Sequence, residues 1–368
     1  MPRASFRARL VLAFVLASFS AVIGLGGALP FGAAAVAQDG CPTDWPTDTL
    51  QIMAPAAPGG GWDTTAREVQ RVLTEEQVVG QSVEVFNVEG SGGTIGLAQL
   101  ATEHSGNENM LMMMGLVMIG GIQLNQSPVT LDQITPVARL TTEFEVIVVP
   151  ADSPFQTLDD LIAAFTADPG SISWGGGSAG GTDNILVGLI AQAAGVDPTS
   201  INYVPFSGGG EALAAILGGQ VSAGVSGVSE WQAQIESGEL RALAVSGRAQ
   251  ATPAGGTPGA SPAASPPASP AAGSGGMTDS IPTLQEQGVD VELANWRGLM
   301  APAEVSDDAR ACMVNAIGAM VQTEGWQEAL ATNGWTDFYL PGDEYGAYLG
   351  EETTRVNTIL SELGLIES

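Results

Sequence analysis

The chain of 368 residues contains no lysine and only one histidine, His104. Without lysine, a phosphate-binding loop of the Walker A type cannot exist, because its lysine must contact the nucleotide phosphates. His104 lies in a polar stretch, residues 103–106, and no serine or cysteine set can be placed around it as a hydrolytic triad. One imidazole and two cysteines also give little support to a metal site. The sequence therefore favours a protein that is not an enzyme and that uses no cofactor.

Positive charge is scarce throughout the chain. All 11 basic residues are arginines, and Arg3, Arg7 and Arg9 lie in the first ten positions. The remaining eight face 40 acidic residues, which gives a formal charge of −32 after the N-terminal segment. Such a surface repels nucleic acid and anionic lipid, so neither is expected as a partner.

The N-terminal segment predicts export. Three arginines precede a long apolar run, and Ala35-Val36-Ala37 is typical of a signal-peptidase site, so residues 1–37 are predicted to be a signal peptide. Retention as an anchor and lipidation at Cys41 are the alternatives. The next longest apolar run, Met110 to Ile122, is too short to span a membrane and is interpreted as a buried strand. In an oxidising compartment Cys41 and Cys312 could form a disulfide.

Residues 54–67, with the sequence APAAPGGGWDTTAR, join an apolar strand to an amphipathic helix through three glycines. Glycines allow close approach to the backbone, and the first N–H groups of a helix lack partners within it, so such a loop can bind an anion. Four glycine loops of this kind each precede a predicted helix. They are Gly59-Gly60-Gly61, Gly90 to Gly93, Gly175 to Gly181 and Gly208-Gly209-Gly210.

Strands and helices alternate along the chain, which predicts an α/β fold with ligands at the carboxyl ends of its strands. Thr157 and Asp160 have the spacing of a capping box at a helix start. Residues 249–276 are almost wholly Ala, Pro, Gly, Ser and Thr and are interpreted as a surface insertion. Gly175-x-Gly177-x-x-Gly180 also matches a dinucleotide fingerprint, but a single match is weak evidence.

An acidic ligand would need an arginine. Arg297, beside Trp296 and just before a predicted strand, is the candidate for this role. We expect Arg67 on a helix flank and Arg139 and Arg241 in surface salt bridges.

Seven segments in order resemble the solute-binding proteins of tripartite tricarboxylate transporters, the Bug/TctC family. The segments are APAAPGGGWDTTAR, NVEGSGGTIGLAQL, TPVARL, VVPADSPFQTLDDL, SWGGGSAGGTDNI, VPFSGGGEALAAILGGQV and LRALAVS. The similarity runs from about Trp45 to the C-terminus, except in the insertion. The loop VEGSGG departs from the family's usual pattern, and no histidine is available for a second-lobe contact.

The resemblance implies a type II periplasmic-binding fold, in which two α/β lobes joined by a hinge of crossing strands close on a carboxylate. Lobe 1 would comprise residues 41–148 and 246–368, with the insertion 249–276, and lobe 2 residues 149–245. Hinge motion is expected at residues 148–150 and 243–246. The first two glycine loops, residues 177–182, residues 207–210 and the stretch near residues 226–230 would hold the solute.

The expected function is capture of a di- or tricarboxylate, citrate first, by a monomeric receptor that delivers it to the large and small permease subunits. A carboxylate sensor and an extracytoplasmic enzyme acting on a carboxylate or ester are the alternatives. Trp62 could cover the ligand or pack beside the hinge. The candidate ligand-binding residues are Gly59, Gly60, Gly61, Trp62, Asp63, Thr64, Ser91, Gly92, Gly93, Thr94, Ser178, Gly180, Gly181, Thr182, Ser207, Gly208, Gly209, Ser229 and Arg297.

Overall fold

A computed structural model describes residue 41, residues 45–248 and residues 280–367. The predicted signal peptide, residues 1–37, and the predicted insertion, residues 249–276, lie outside the described residues. In the described ranges no helix has both the length and the apolar character needed to cross a membrane.

Strands and helices alternate, as the sequence predicts. The strands are β1 (Leu50–Ala54), β2 (Val83–Asn87), β3 (Met110–Gly115), β4 (Thr135–Pro150), β5 (Ser173–Gly176), β6 (Asn202–Pro205), β7 (Ala223–Gly227), β8 (Leu240–Val245), β9 (Ala294–Ala301) and β10 (Thr336–Pro341). The helices are α1 (Gly61–Glu75), α2 (Thr94–Thr102), α3 (Leu116–Leu124), α4 (Leu158–Ala167), α5 (Thr182–Ala193), α6 (Gly209–Leu217), α7 (Val228–Glu236), α8 (Asp307–Met320), α9 (Glu324–Asn333) and α10 (Gly342–Glu362).

Local sequence patterns account for most of these elements. Helix α1 buries Ala66, Val69 and Leu73, which recur at helical spacing on one face. Helix α4 begins with the predicted capping box, in which Thr157 accepts a hydrogen bond from the Asp160 N–H and the Asp160 carboxylate accepts one from the Thr157 N–H.

One predicted strand is wrong in part. The run from Met110 to Ile122 forms β3 only as far as Gly115, and the chain then turns directly into α3. Both halves are almost completely buried, so the apolar run shows no periodicity that would separate a buried strand from a buried helix.

The central feature of the topology is the long strand β4. The strands follow the order β2-β1-β3-β9-β4-β7-β5-β6, and β8 and β10 also pair with β4. Residues 135–144 of β4 pair with β9, whereas residues 145–150 pair with β7 and β8. The strand partners therefore change between Phe144 and Glu145, four residues before the proposed lobe boundary at 148/149. The division into two lobes at that boundary stays a proposal.

Ser246 fixes the point where the strands cross. Its hydroxyl donates to the Leu293 carbonyl at 2.6 Å and accepts from the Glu145 N–H at 2.9 Å. Its own N–H donates to the Glu145 carbonyl at 2.8 Å. The side chain is fully buried, so these bonds tie β4 to the segments that follow β8 and precede β9.

Two contacts join the C-terminal part of the chain to earlier elements. The structure joins Cys41 to Cys312 of α8 in a disulfide with a Cα–Cα distance of 4.6 Å. The end of α10 lies on α5, where Gln192 donates to the Glu362 carbonyl at 3.3 Å and Leu363 packs against Gly188. This last turn contacts an element of the proposed second lobe, although the prediction assigns it to the first.

Candidate functional site

A small cavity of about 60 Å³ lies where the amino-terminal ends of several helices meet. A volume of this size has room for a few water molecules, so a larger solute must widen the cavity. Its walls come from segments on both sides of the crossing strands. The lining residues are Ala56, Gly60, Gly61, Trp62, Val117, Gly177, Ser178, Gly181, Thr182, Asp183, Gly208, Gly209, Ser226, Glu230, Asn295 and Arg297.

Three helices point their amino-terminal ends at this cavity. For α1, α5 and α6, both the residue before the helix and its first residue line the wall. The preceding residues, Gly60, Gly181 and Gly208, carry no side chain that could cap the helix. Because the first N–H groups of a helix have no partner within it and carry the positive end of its dipole, the cavity wall offers donors to an anion.

Nine of the predicted ligand-binding residues line the cavity and ten do not. The nine are Gly60, Gly61, Trp62, Ser178, Gly181, Thr182, Gly208, Gly209 and Arg297. The ten are Gly59, Asp63, Thr64, Ser91, Gly92, Gly93, Thr94, Gly180, Ser207 and Ser229.

Asp63 does not line the cavity, but its hydrogen bonds fix the first glycine loop. Its carboxylate accepts hydrogen bonds from the Gly59 N–H at 2.8 Å, Arg67 Nε at 2.9 Å and Asn87 Nδ2 at 3.0 Å. Burial of the carboxylate works in the opposite direction, but these bonds hold the pKa of Asp63 below its ordinary value. Arg67 therefore lies on the helix flank, as predicted, and supports the loop through Asp63.

The second glycine loop packs against α3 and contributes no residue to the cavity lining. The Ser91 carbonyl accepts from Asn125 Nδ2 at 3.0 Å and from Thr94 Oγ1 at 2.9 Å. Gly92 and Gly93 adopt positive φ angles of 64° and 88°, a conformation that favours glycine. The loop therefore packs around residues that line the cavity without lining it itself.

Trp62 connects that loop to the cavity. Its side chain lines the wall, while a Cβ added to Gly93 would lie 2.7 Å from the indole ring. The ring also faces Gly115, where an added Cβ would lie 3.2 Å from Nε1. The buried indole therefore forms one wall of the cavity and packs between two loops at the same time.

Arg297 lies within β9, whereas the sequence placed it just before a strand. Its side chain is only 3% exposed and forms an ion pair with Glu143, whose side chain is 1% exposed. Glu230 lies 3.9 Å from the same guanidinium nitrogen, Nη2. Although burial opposes ionisation, Glu143 and Glu230 raise the pKa of Arg297 above its ordinary value. The guanidinium is therefore already matched by protein carboxylates.

Four buried carboxyl groups surround this one arginine. Burial, reinforced by the charges of Asp183, Glu143 and Glu230, raises the pKa of Glu145 well above its ordinary range. Burial also raises the pKa of Asp183 to about 6, against a hydrogen bond from the Gly177 N–H that lowers it. For Glu230, burial raises the pKa to about 8, although Arg297 opposes the shift. The site is thus more acidic in composition than a plain anion site.

Glycines let these charged groups pack against the backbone. A Cβ at Gly61 would overlap the Arg297 guanidinium, and one at Gly209 would overlap the Glu230 carboxylate. A Cβ at Gly227 would lie 2.5 Å from Glu143. Glycine at these three positions is therefore a steric requirement of the charged cluster.

Ser229 positions one member of the cluster. Its hydroxyl donates to Glu143 Oε2 at 2.7 Å and accepts from Trp335 Nε1 at 3.3 Å. A predicted ligand contact is therefore a side chain that holds Glu143, which in turn pairs with Arg297.

Sequence reasoning missed the acidic part of the site. Glu143, Glu145, Asp183 and Asn295 were not predicted, although Asp183 and Asn295 line the cavity. A signal was present in β4, where Glu143 and Glu145 occur two residues apart in residues 143–150. This stretch, EFEVIVVP, is otherwise apolar. Alternation of this kind places two acids on one face of a buried strand, which is uncommon without function.

The prediction of surface salt bridges is wrong for both Arg139 and Arg241, since neither forms an ion pair among the described residues. Arg139 is 5% exposed, stacks on Phe338 at 3.4 Å and on Tyr348 at 4.2 Å, and donates to the Phe338 carbonyl. Arg241 donates to the carbonyls of Ala151 and Phe155. Both side chains therefore donate hydrogen bonds to backbone carbonyls outside the cavity.

Residues 65–258, more than half of the chain, match the family described as tripartite tricarboxylate transporter family receptor, TctC. Among curated proteins, the chain is 28% identical to Protein BugT of Bordetella pertussis over 354 residues. That alignment covers 94% of this chain and 97% of BugT.

Several solved structures share the fold. The periplasmic binding protein BugD superposes with a TM-score of 0.71 at 20% identity, covering 88% of this chain and 99% of BugD. MatC of Rhodopseudomonas palustris with bound malate gives 0.68 at 20% identity, with 86% and 100% coverage. Another protein of that organism, with adipate, gives 0.69 at 22% identity, with 87% and 98% coverage. These likenesses confirm the predicted periplasmic-binding fold of two α/β lobes.

Proposed function

Because the chain belongs to the tripartite tricarboxylate transporter family of receptors, we propose that it captures a small carboxylate solute between its lobes and delivers it to the membrane permease. The family implies an extracytoplasmic location. The energy for transport would come from the permease, and the receptor would contribute selectivity and closure. Binding of the same solute for a signalling partner is the alternative within this class.

The observation that carries the proposal is the meeting of three uncapped helix ends, those of α1, α5 and α6, at one cavity. Helix α1 belongs to the proposed first lobe, and α5 and α6 belong to the second. A carboxylate between them would receive N–H donors from both sides, so its binding would favour the closed arrangement.

The charge balance of the cavity argues against citrate as the first choice. Arg297 is the one cation that lines the cavity in the described part of the chain, and Glu143 already pairs with it. Three ligand carboxylates would add their charges to that of Asp183 and would face the Glu230 carboxyl group. We therefore place acids with one or two carboxylates ahead of citrate.

A thermal-shift screen followed by calorimetric titration tests this proposal. We expect one- and two-carboxylate acids of four to six carbons, with or without an amino group, to raise the melting temperature, because a ligand present at 100 times its Kd stabilises the fold by about 2.7 kcal/mol. Citrate should stabilise the protein less. Stabilisation by sugars or simple amines, with none by any carboxylate, would contradict the proposal.

A further inference from the structure

The number of acids exceeds what the charge of Arg297 can balance. Glu143, Glu145, Asp183 and Glu230 all influence one another electrostatically, and Arg297 is the cation that acts on Glu145, Asp183 and Glu230. Glu143 is already paired with it. Burying several carboxyl groups around one guanidinium is unfavourable unless another group compensates.

Glu230 is the member of the cluster that is open to a ligand. It lines the cavity, yet its side chain is only 10% exposed. Its Oε2 atom is buried, and no donor in the described part of the chain reaches it with standard hydrogen-bond geometry, although the nearby Ser226 hydroxyl lowers the pKa of Glu230. Buried carboxylate oxygens without a donor are rare in folded proteins, so a donor from outside the chain is the natural partner.

Protein groups surround Glu230 on its other sides, so a donor from outside the chain can reach it only through the cavity. Arg297 approaches from β9, Glu143 from β4 and Asp183 from α5. The backbone of Gly209 packs closely against Oε2 at the start of α6, beside the Ser226 hydroxyl of β7. Of these neighbours Arg297 alone is cationic, and its distance of 3.9 Å is at the limit of an ion pair.

We propose that Glu230 is the counter-ion for a protonated amine of the solute, so that the receptor selects a small acid that also carries an ammonium group. This inference rests on the proposed function, since the carboxylate of the same solute would bind the helix ends. An organic cation fits better than a metal ion, because the described residues contain no group of three or more potential ligands placed to hold a metal.

The pH dependence of solute affinity tests the proposal in the native protein, without any substitution. In the free protein Glu230 has a pKa of about 8 and is largely protonated at pH 7. An ammonium group favours the ionised carboxylate, lowers its pKa and releases a proton on binding, so affinity should rise from pH 6 to pH 8. If Glu230 instead stayed protonated and donated to a ligand carboxylate, affinity would fall over the same range.

The experiment compares aspartate with malate, which carry an ammonium and a hydroxyl group at the same carbon. Calorimetry at pH 7 in two buffers of different ionisation enthalpy measures the affinity and the protons released. We expect aspartate to bind at least about tenfold more tightly than malate, with proton release. Glu230→Gln should remove this preference, because it weakens aspartate and leaves malate unchanged or tighter.

The control is Glu236→Gln, which removes the same charge from an exposed position on α7. It should change neither affinity. Equal affinities of aspartate and malate in the native protein, or proton uptake with aspartate, would overturn the inference about Glu230 while leaving the carboxylate receptor intact. Binding of 1,4-diaminobutane with no binding of either acid would overturn the proposed function as well.

Discussion

Replacing Arg297 with methionine should lower the free energy of unfolding by about 3–5 kcal/mol at neutral pH. The substitution leaves the Glu143 carboxylate buried, with Ser229 as its remaining hydrogen-bond donor among the described contacts. An uncompensated buried charge costs far more than a lost surface ion pair. Urea unfolding followed by circular dichroism measures the loss.

A double variant separates the charge effect from a packing effect. Arg297→Met combined with Glu143→Met replaces the pair by apolar side chains, and such replacements are often neutral in stability. We therefore expect the double variant to recover more than half of the loss. A double variant as unstable as the single one would show that the unpaired Glu143 is not the cause.

Arg71→Met is the matched control. Arg71 pairs with Glu68 and Glu75 on α1, but its side chain is 33% exposed. Exposed pairs of this kind contribute about 0–1 kcal/mol, so its loss should be small.

Gly120→Ala should weaken solute binding by about 5- to 150-fold without destabilising the free protein. Gly120 lies in α3 of the proposed first lobe, and a Cβ there would overlap the carbonyl oxygen of Gly180, in the loop before α5 of the second. That loop is held by a 2.9 Å hydrogen bond from the Gly180 N–H to Asn184, so it cannot move away easily. The overlap therefore penalises the closed arrangement.

We expect an open arrangement, in which the proposed lobes separate, to lack this contact, and alanine is a better helix former than glycine there. Titration calorimetry measures the affinity, and thermal unfolding of the free protein checks the fold. Gly350→Ala in α10 is the control, since a Cβ at Gly350 has nothing within 4 Å. Unchanged affinity in Gly120→Ala would mean that this contact is not part of closure.

Local sequence patterns predicted the elements that position the site. A glycine loop before an amphipathic helix is a short-range signal, and it correctly located the starts of α1, α5 and α6. The capping box of Thr157 and Asp160 is equally local and is confirmed. Both depend on residues within one or two turns of each other.

The second glycine loop shows where prediction from local sequence patterns fails. Its sequence resembles the other three loops, but it packs on α3 through Asn125 and lies behind Trp62. Whether a glycine loop faces a cleft or a neighbouring helix depends on contacts made 30 residues or more along the chain, as between Ser91 and Asn125, which are 34 positions apart.

The acidic cluster was missed for the same reason. Glu143 and Arg297 are 154 positions apart, and they meet because β4 and β9 pair in register. The sequence indicated Arg297 as a ligand for a carboxylate, and the two acids of β4 gave no indication that one of them pairs with it. Long-range pairing therefore changed the predicted ligand more than it changed the predicted fold.

The central claim is that one solute is held jointly by the helix ends of both lobes. The most direct measurement is a ¹⁵N-edited NMR titration, in which an acid that binds is added stepwise to the protein. It follows the backbone amide resonances of Gly61, Thr182 and Gly209. We expect all three amides, one from each helix, to shift with the same apparent Kd. Shifts confined to one lobe, or different Kd values for the three amides, would contradict the account.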